Sequence, residues 1–331
     1  MAILVTGAAG FIGSHTAVRL LRRGEGEVIV GLDNLDDFYS PDRKRQNLSE
    51  VARQEQRPGQ FVFVEGDVRD RALVTKLFKE HQFRSVIHLA ARVGVKGSVQ
   101  NPWLTYDVNV MGTLNLLEAV REQPDAKGQR ANVVFASTSL VYGRTDKVPF
   151  VETDAADRPL APYPASKRSG EMLGFTYHHL HDIDFTAVRF FTVYGPRGRP
   201  EMLAYKVLNS AFAGESVPLY NGGQMHRDWT FIDDIVSGIV AASNHRLGFE
   251  VLNLGRGEPV LLAEFVETLE FVAGKKAKLE HTPMPHSDIK YTYAAIDKAQ
   301  KLIGYNPKIS FEEGIQRFYS WYAEHVLKPG R

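Results

Sequence analysis

The chain alternates two kinds of hydrophobic spacing. The runs "AILVTG" (2–7), "EVIVGLD" (27–33), "FVFVEGD" (61–67), "SVIHLAA" (85–91), "NVVFAST" (132–138) and "FTAVRFF" (185–191) are short and rich in branched or aromatic residues. They read as strands buried on both faces of a parallel sheet. Between them, "GSHTAVRLLRR" (13–23), "RALVTKLFKEH" (71–81), "VNVMGTLNLLEAVRE" (108–122) and "SKRSGEMLGFTYHHLH" (166–181) repeat with the period of a helix. Strands alternating with helices predict βαβ units and an α/β fold around a doubly wound, Rossmann-type parallel sheet. After "GPRGRP" (195–200) the pattern becomes irregular. The helical stretches "IDDIVSGIVAAS" and "LLAEFVETLEFVAG" are separated there by Gly/Pro-rich pieces, and "YNGGQ" (220–224) and "HTPMPHSD" (281–288) read as binding loops. The expected division is a first unit over residues 1–191, with the segment near 228–255 returning to it. A smaller mixed α/β unit follows over 192–331.

Composition narrows the function classes without choosing one. The 331 residues are 44% hydrophobic and 24% charged, a globular balance with ample core, and the net charge of +1 gives no electrostatic reason to expect nucleic acid or an anionic membrane. The apolar N-terminus lacks a basic leader, and no apolar run is long enough to predict a membrane span. The absence of cysteine excludes disulfides, thiolate catalysis and cysteine-held metals, and it fits a reducing compartment. A cytoplasmic location is the expectation. The one histidine cluster, "HHLH" (178–181), sits on a predicted amphipathic helix without a carboxylate in metal-site spacing, so no metal is expected.

Chemistry enters with the glycines. "VTGAAGFIG" places Gly7, Gly10 and Gly13 after a predicted strand and at the opening of a helix, where missing side chains admit a pyrophosphate to the backbone and the helix N-terminus. Alone, this pattern also describes a tight turn. An acidic residue is expected at the end of the second strand to accept from a ribose hydroxyl, and Asp33 stands there. That carboxylate would repel a 2′-phosphate, so NAD is predicted over NADP. Thr138 ends a later strand, where ligands bind in such folds. In "APYPASKRSGE" (161–171), Tyr163 and Lys167 stand four residues apart, on one helix face. A fixed ammonium there would favour the phenolate and make Tyr163 a base toward a hydroxyl held by Thr138. Taken singly, such a pair is more often a packed tyrosine beside a solvated lysine, and a strand-end threonine is more often a backbone cap.

The motifs "TGAAGFIG", "GDVRD", "HLAA", "NVMGTLNLLEA", "ASTSLVYG", "YPASK", "RFFTVYGPRGRPEM" and "RDWTFIDDIV" occur together and in order, over roughly residues 2–320. In these the chain resembles the extended short-chain dehydrogenase/reductases that epimerise or dehydrate nucleotide sugars. "LDNLDDFYSPDRKRQNL" and "RVGVKGSVQNP" are most similar to the UDP-glucuronate 4-epimerase branch. The resemblance implies Tyr163 as base, Lys167 on the nicotinamide ribose, and Thr138 as their partner. It further implies NAD contacts from Gly7, Gly10, Phe11, Ile12, Gly13, Asp33, Asn34, Asp67, Val68, Leu89, Ala90, Ala91 and Asn109. Ser139, Thr192, Arg199, Tyr220, Arg227 and Asp288 are the implied substrate contacts.

Relatives that dehydrate carry Asp-Glu after the threonine. Ser139 and Leu140 stand there in this chain, which disfavours dehydration and decarboxylation and leaves 4-epimerisation. Leu140 also replaces a serine expected beside a glucuronate carboxylate, and His286 stands where relatives often have an arginine. UDP-glucuronate is therefore the first expectation. A neutral UDP-glucose-type sugar is second, followed by a ketoreductase and by a non-catalytic NAD-bound scaffold. The resemblance also implies a homodimer through helices 108–122 and 166–181, whose apolar faces would otherwise only cover the sheet.

Overall fold

A computed structural model describes residues 1–145, 147–284 and 289–328. The expected parallel sheet is present, with seven strands rather than six. They are β1 (Ala2–Thr6), β2 (Val28–Asp33), β3 (Phe61–Glu65), β4 (Phe83–His88), β5 (Asn132–Thr138), β6 (Phe185–Phe190) and a late strand, Phe249–Leu254. From edge to edge the order is Phe249–Leu254, β6, β5, β4, β1, β2, β3, and every pairing is parallel. The sequence order reverses between β1 and β4, which opens a crevice above their carboxyl ends.

Helices cover both faces: α1 (Phe11–Arg22), α2 (Pro41–Ala52), α3 (Arg71–Glu80), the short α4 (Val95–Gln100) and α5 (Pro102–Tyr106), α6 (Gly112–Glu122) and α7 (Pro162–His181). The long amphipathic stretch predicted from 108 begins instead with a π turn, Asp107–Met111, which joins α5 to α6. Helix α7 starts at Pro162, earlier than the helical periodicity suggests. Its prolines cost nothing there, because first-turn N–H groups have no partner within the helix.

One apolar core on each side of the sheet holds the layers together. Against β5 and β6, α7 presents Gly170 and Gly174; a Cβ at either would lie 2.4 Å from Phe135 or 2.2 Å from Phe185. That close approach sets the height of α7 above the strand ends. The remaining chain forms smaller sheets, including Thr192–Tyr194 paired with His226–Phe231, and Ser216–Tyr220 paired with Lys278–Thr282. Among the described residues, no helix is long and apolar enough to cross a membrane.

Candidate active site

A cavity of about 580 Å³ runs along the crevice from the glycine turn to the loop after β6. Its walls bring together Gly7, Gly10, Phe11, Ile12, Gly13, Asp33, Asn34, Asp67, Val68, Leu89, Ala90, Ala91, Thr138, Tyr163, Lys167, Thr192 and Arg199. Asn109, Ser139, Tyr220 and Arg227 do not line it. Asp288 and His286 lie outside the described residues.

At one end, Gly7 has φ +69° and abuts β4, so a Cβ there would sit 2.8 Å from the Ala90 nitrogen. A Cβ at Gly13 would come within 2.0 Å of the Gly7 oxygen. Only glycine lets the strand turn and the helix begin this close to the cavity. Asp33 accepts from the backbone N–H groups of Ala9 at 3.0 Å and Leu35 at 2.9 Å. Its burial pushes the carboxyl up despite those bonds. Burial also pushes Asp67 up, but hydrogen bonds from Arg69 and Asn34 outweigh it and keep that carboxyl below its usual range.

At the other end, the Thr138 side chain stands beside the Tyr163 phenol on the cavity wall and favours its ionised form. Lys167 is 2% exposed, its Nζ has no hydrogen-bond partner, and it stands 4.8 Å over the Phe135 ring. Here the structure departs from the expectation that Lys167 lowers the Tyr163 pKa. Burial raises the phenol, and the groups that oppose it are the Arg199 charge and the Thr138 hydrogen bond. Burial also pushes the Lys167 ammonium down to about 7.

Several residues reach the cavity that the motifs did not single out. Asp36 binds both Lys44 and Arg92, each at 2.7 Å, and so ties the loop after β2 to the loop after β4 across the cavity mouth. The two segments that hold these residues are motifs of the resemblance, but only folding makes Asp36 and Arg92 neighbours. Asn109, expected on the cofactor, is instead buried and bonded to the backbone of Arg92 and to Ser166. It ends a chain of hydrogen bonds with a fixed direction. The Ala90 N–H donates to Thr6, Thr6 to His88 Nδ1, His88 Nε2 to Thr113, and Thr113 to the Asn109 carbonyl. The Asn109 amide then donates to Ser166, and Ser166 to the Tyr163 carbonyl at 2.7 Å. Because Thr113 spends its proton on Asn109, His88 must carry its own on Nε2. Burial, followed by the Lys167 charge, holds His88 down to about 3 and therefore neutral.

Leu140, Thr192 and Arg199 also line the cavity, and the Nε of Arg199 donates to Glu201 at 2.6 Å. Arg227 donates to the carbonyls of His226 and Lys290 and, with the half-exposed Tyr220, belongs to the smaller sheets.

Comparison with known proteins agrees with this geometry. The family model for GDP-mannose 4,6 dehydratase matches residues 4–318. A UDP-glucuronate 4-epimerase from Thermodesulfobacterium geofontis is 41% identical over 98% of this chain and 96% of the relative. A crystal structure of UDP-glucuronic acid 4-epimerase from Bacillus cereus, in complex with UDP-glucuronic acid and NAD, is 33% identical with a TM-score of 0.87, over 97% of this chain and 98% of that one. The UDP-glucose 4-epimerase of Thermotoga maritima is 28% identical with the same TM-score of 0.87, over 98% of this chain and 100% of that one. The chain belongs to the extended short-chain dehydrogenase/reductase family that the GDP-mannose 4,6 dehydratase model describes.

Proposed function

We propose that this protein is an NAD-dependent UDP-sugar 4-epimerase whose main substrate is UDP-glucuronate, interconverted with UDP-galacturonate. One observation carries the reading. Thr138, Tyr163 and Lys167 meet on a cavity wall where the next lining residue after Thr138 is Leu140, which cannot move a proton. Ser139 and Leu140 stand where the resemblance puts a dehydratase's pair of acids, and neither is an acid.

The walls fit NAD. Gly7 and Gly13 leave the backbone bare for a pyrophosphate, Asp33 keeps lone pairs for a ribose hydroxyl, and the unpartnered Lys167 ammonium can take ribose oxygens. When bound, NAD would supply the acceptor, and afterwards the donor, of the hydride exchanged at the sugar's C4. Tyr163 takes the proton of the 4-hydroxyl onto its phenolate oxygen and later gives it back, and Thr138 hydrogen-bonds the same sugar oxygen. Between those two proton transfers the sugar is a 4-ketose, which must turn over in the cavity to be epimerised. Arg199 and Thr192 would receive the carboxylate at the sugar end, the guanidinium by a bidentate pair.

We assign the cofactor to residues 1–191, with the segment near 228–255, and the nucleotide sugar to residues 192–331. Tyr220, Arg227 and Asp288 are proposed there as nucleotide contacts. We also propose a homodimer. Trp103 (87% exposed), Tyr106 and Met111 on α5 and the π turn, with Met172 and Phe175 on α7, form apolar surface on neighbouring helices that a second copy would cover. A cytoplasmic site of action fits a chain without cysteine.

The second reading, a neutral-sugar 4-epimerase, rests on Leu140, whose apolar side chain lines the cavity where a carboxylate would otherwise find a hydroxyl. An NMR assay of the purified protein with UDP-glucuronate, and separately UDP-glucose, decides between them. The expected product is UDP-galacturonate, formed with no net oxidation or reduction and abolished in Tyr163→Phe. Turnover of UDP-glucose alone would establish the second reading, and inactivity with both would refute the epimerase.

A further inference from the structure

Tyr163, Lys167 and Glu171 follow one another at four-residue intervals along α7, so they lie on one face, roughly 6 Å apart along the axis. The first two reach the cavity. Glu171 lies deeper and is fully buried. Its carboxylate accepts from Arg189 Nε at 2.9 Å and Nη2 at 2.8 Å, from Arg168 at 2.7 Å, and from the Ser137 hydroxyl at 2.5 Å. Ser137 and Arg189 are direct partners across β5 and β6, and each immediately precedes the residue that ends its strand, Thr138 or Phe190. One carboxylate on the catalytic helix therefore grips both strand ends from which the cavity floor is built.

Such a cluster is a poor way to gain stability. Burying ions costs several kcal/mol each, and well-packed apolar residues of similar volume would do as well or better. Arg189 even keeps an unpaired Nη1 while stacking 4.6 Å over Tyr142, whose hydroxyl donates to Asn253. What the cluster supplies is direction. A bidentate guanidinium and a short hydroxyl bond fix the rotation and height of α7 over β5, which apolar contacts leave free to slide.

We propose that Glu171 is a positioning residue for the epimerisation, holding Thr138 on β5 in hydrogen-bond register with Tyr163 on α7 through Ser137 and Arg189. The proposal rests on the catalytic roles given above to Thr138 and Tyr163. It predicts that breaking the grip loosens the Thr138–Tyr163 bond, which slows the proton step and leaves binding of the nucleotide sugar alone.

The test uses the holoenzyme and three variants, Glu171→Gln, Ser137→Ala and the double variant. Ser137→Ala removes only the link to the strand, and it keeps the proposal testable if Glu171→Gln folds poorly. Expected for Ser137→Ala is a kcat reduced about tenfold with KM within about twofold, since small misplacements act on the chemical step. The double variant should be no slower than Glu171→Gln, because both break one coupling. A second readout needs no substrate. The tyrosinate absorbance that Tyr163→Phe removes should titrate at higher pH in Ser137→Ala, because a hydrogen bond favouring the phenolate has been weakened. Unchanged kcat and an unchanged tyrosinate midpoint would overturn the proposal, as would a lower melting temperature with normal kcat per folded molecule. If the wild-type protein turned over neither sugar, the epimerase reading would fail by itself, and the tyrosinate midpoint would still decide the role of Glu171.

Discussion

A buried lysine whose ammonium has no hydrogen-bond partner is costly. Lys167 is out of water, over a phenylalanine ring, and its pKa falls from 10.5 to about 7. Between those two values the unfolded chain holds a proton that the folded one has released, so stability rises with pH across that window. The difference amounts to a few kcal/mol at full effect. Lys167→Met should therefore make the cofactor-free protein more stable near pH 7 and abolish epimerisation. Urea denaturation at pH 7 and again near pH 10 checks this, because the advantage of the variant should shrink at the higher pH. A variant less stable than wild type at both values would mean that the Lys167 stem matters more for packing than its charge does for strain. The pairing of Tyr163 with Lys167 was legible from spacing alone, but the direction of their pKa shifts was not. Spacing reports that two groups share a face and is silent on how much water the fold leaves them.

At the scale of elements, α7 lies close against the strands beneath it. Gly170 touches Phe135, and a methyl group there would need 2.4 Å of contact to relax. Gly170→Ala should cost about 1–3 kcal/mol, a typical overpacking penalty, and should lower kcat because the helix is lifted from β5. A control is Gly97→Ala in α4, where an added Cβ meets nothing within 4 Å. That change should leave kcat alone and be neutral or favourable by up to about 1 kcal/mol. Melting temperature and kcat for the two variants are the measurements. If Gly170→Ala behaves like Gly97→Ala, the close approach does not set the height of α7. The strands of the first half were legible because burial on both faces leaves an uninterrupted apolar run. The start of α7 was not, since "APYP" reads as a break until its prolines are seen to fall in the first turn. The π turn at Asp107–Met111 was likewise illegible, because an extra residue in one turn barely disturbs an amphipathic pattern.

For the whole molecule, the apolar surface of α5, the π turn and α7 predicts a second copy against it. Sedimentation should show a dimer, and Met172→Glu with Phe175→Glu should yield a monomer, because a carboxylate at each of these exposed positions would have to be desolvated on pairing. A monomeric wild-type protein would refute the dimer outright. Legible in the sequence were the parallel sheet, the glycine turn with Asp33 at the next strand end, and the shared helix face of Tyr163 and Lys167. Each of these depends on local spacing: alternation of strand and helix, bare backbone at a turn, and a repeat of four on a helix. Folding was needed to show that Asn109 bonds the Arg92 backbone and Ser166 rather than lining the cavity, that Asp36 joins two loops, and that Glu171 clasps two neighbouring strands. Those contacts join residues far apart in sequence, and a single chain carries no record of such neighbours until burial forces each buried polar group to find a partner.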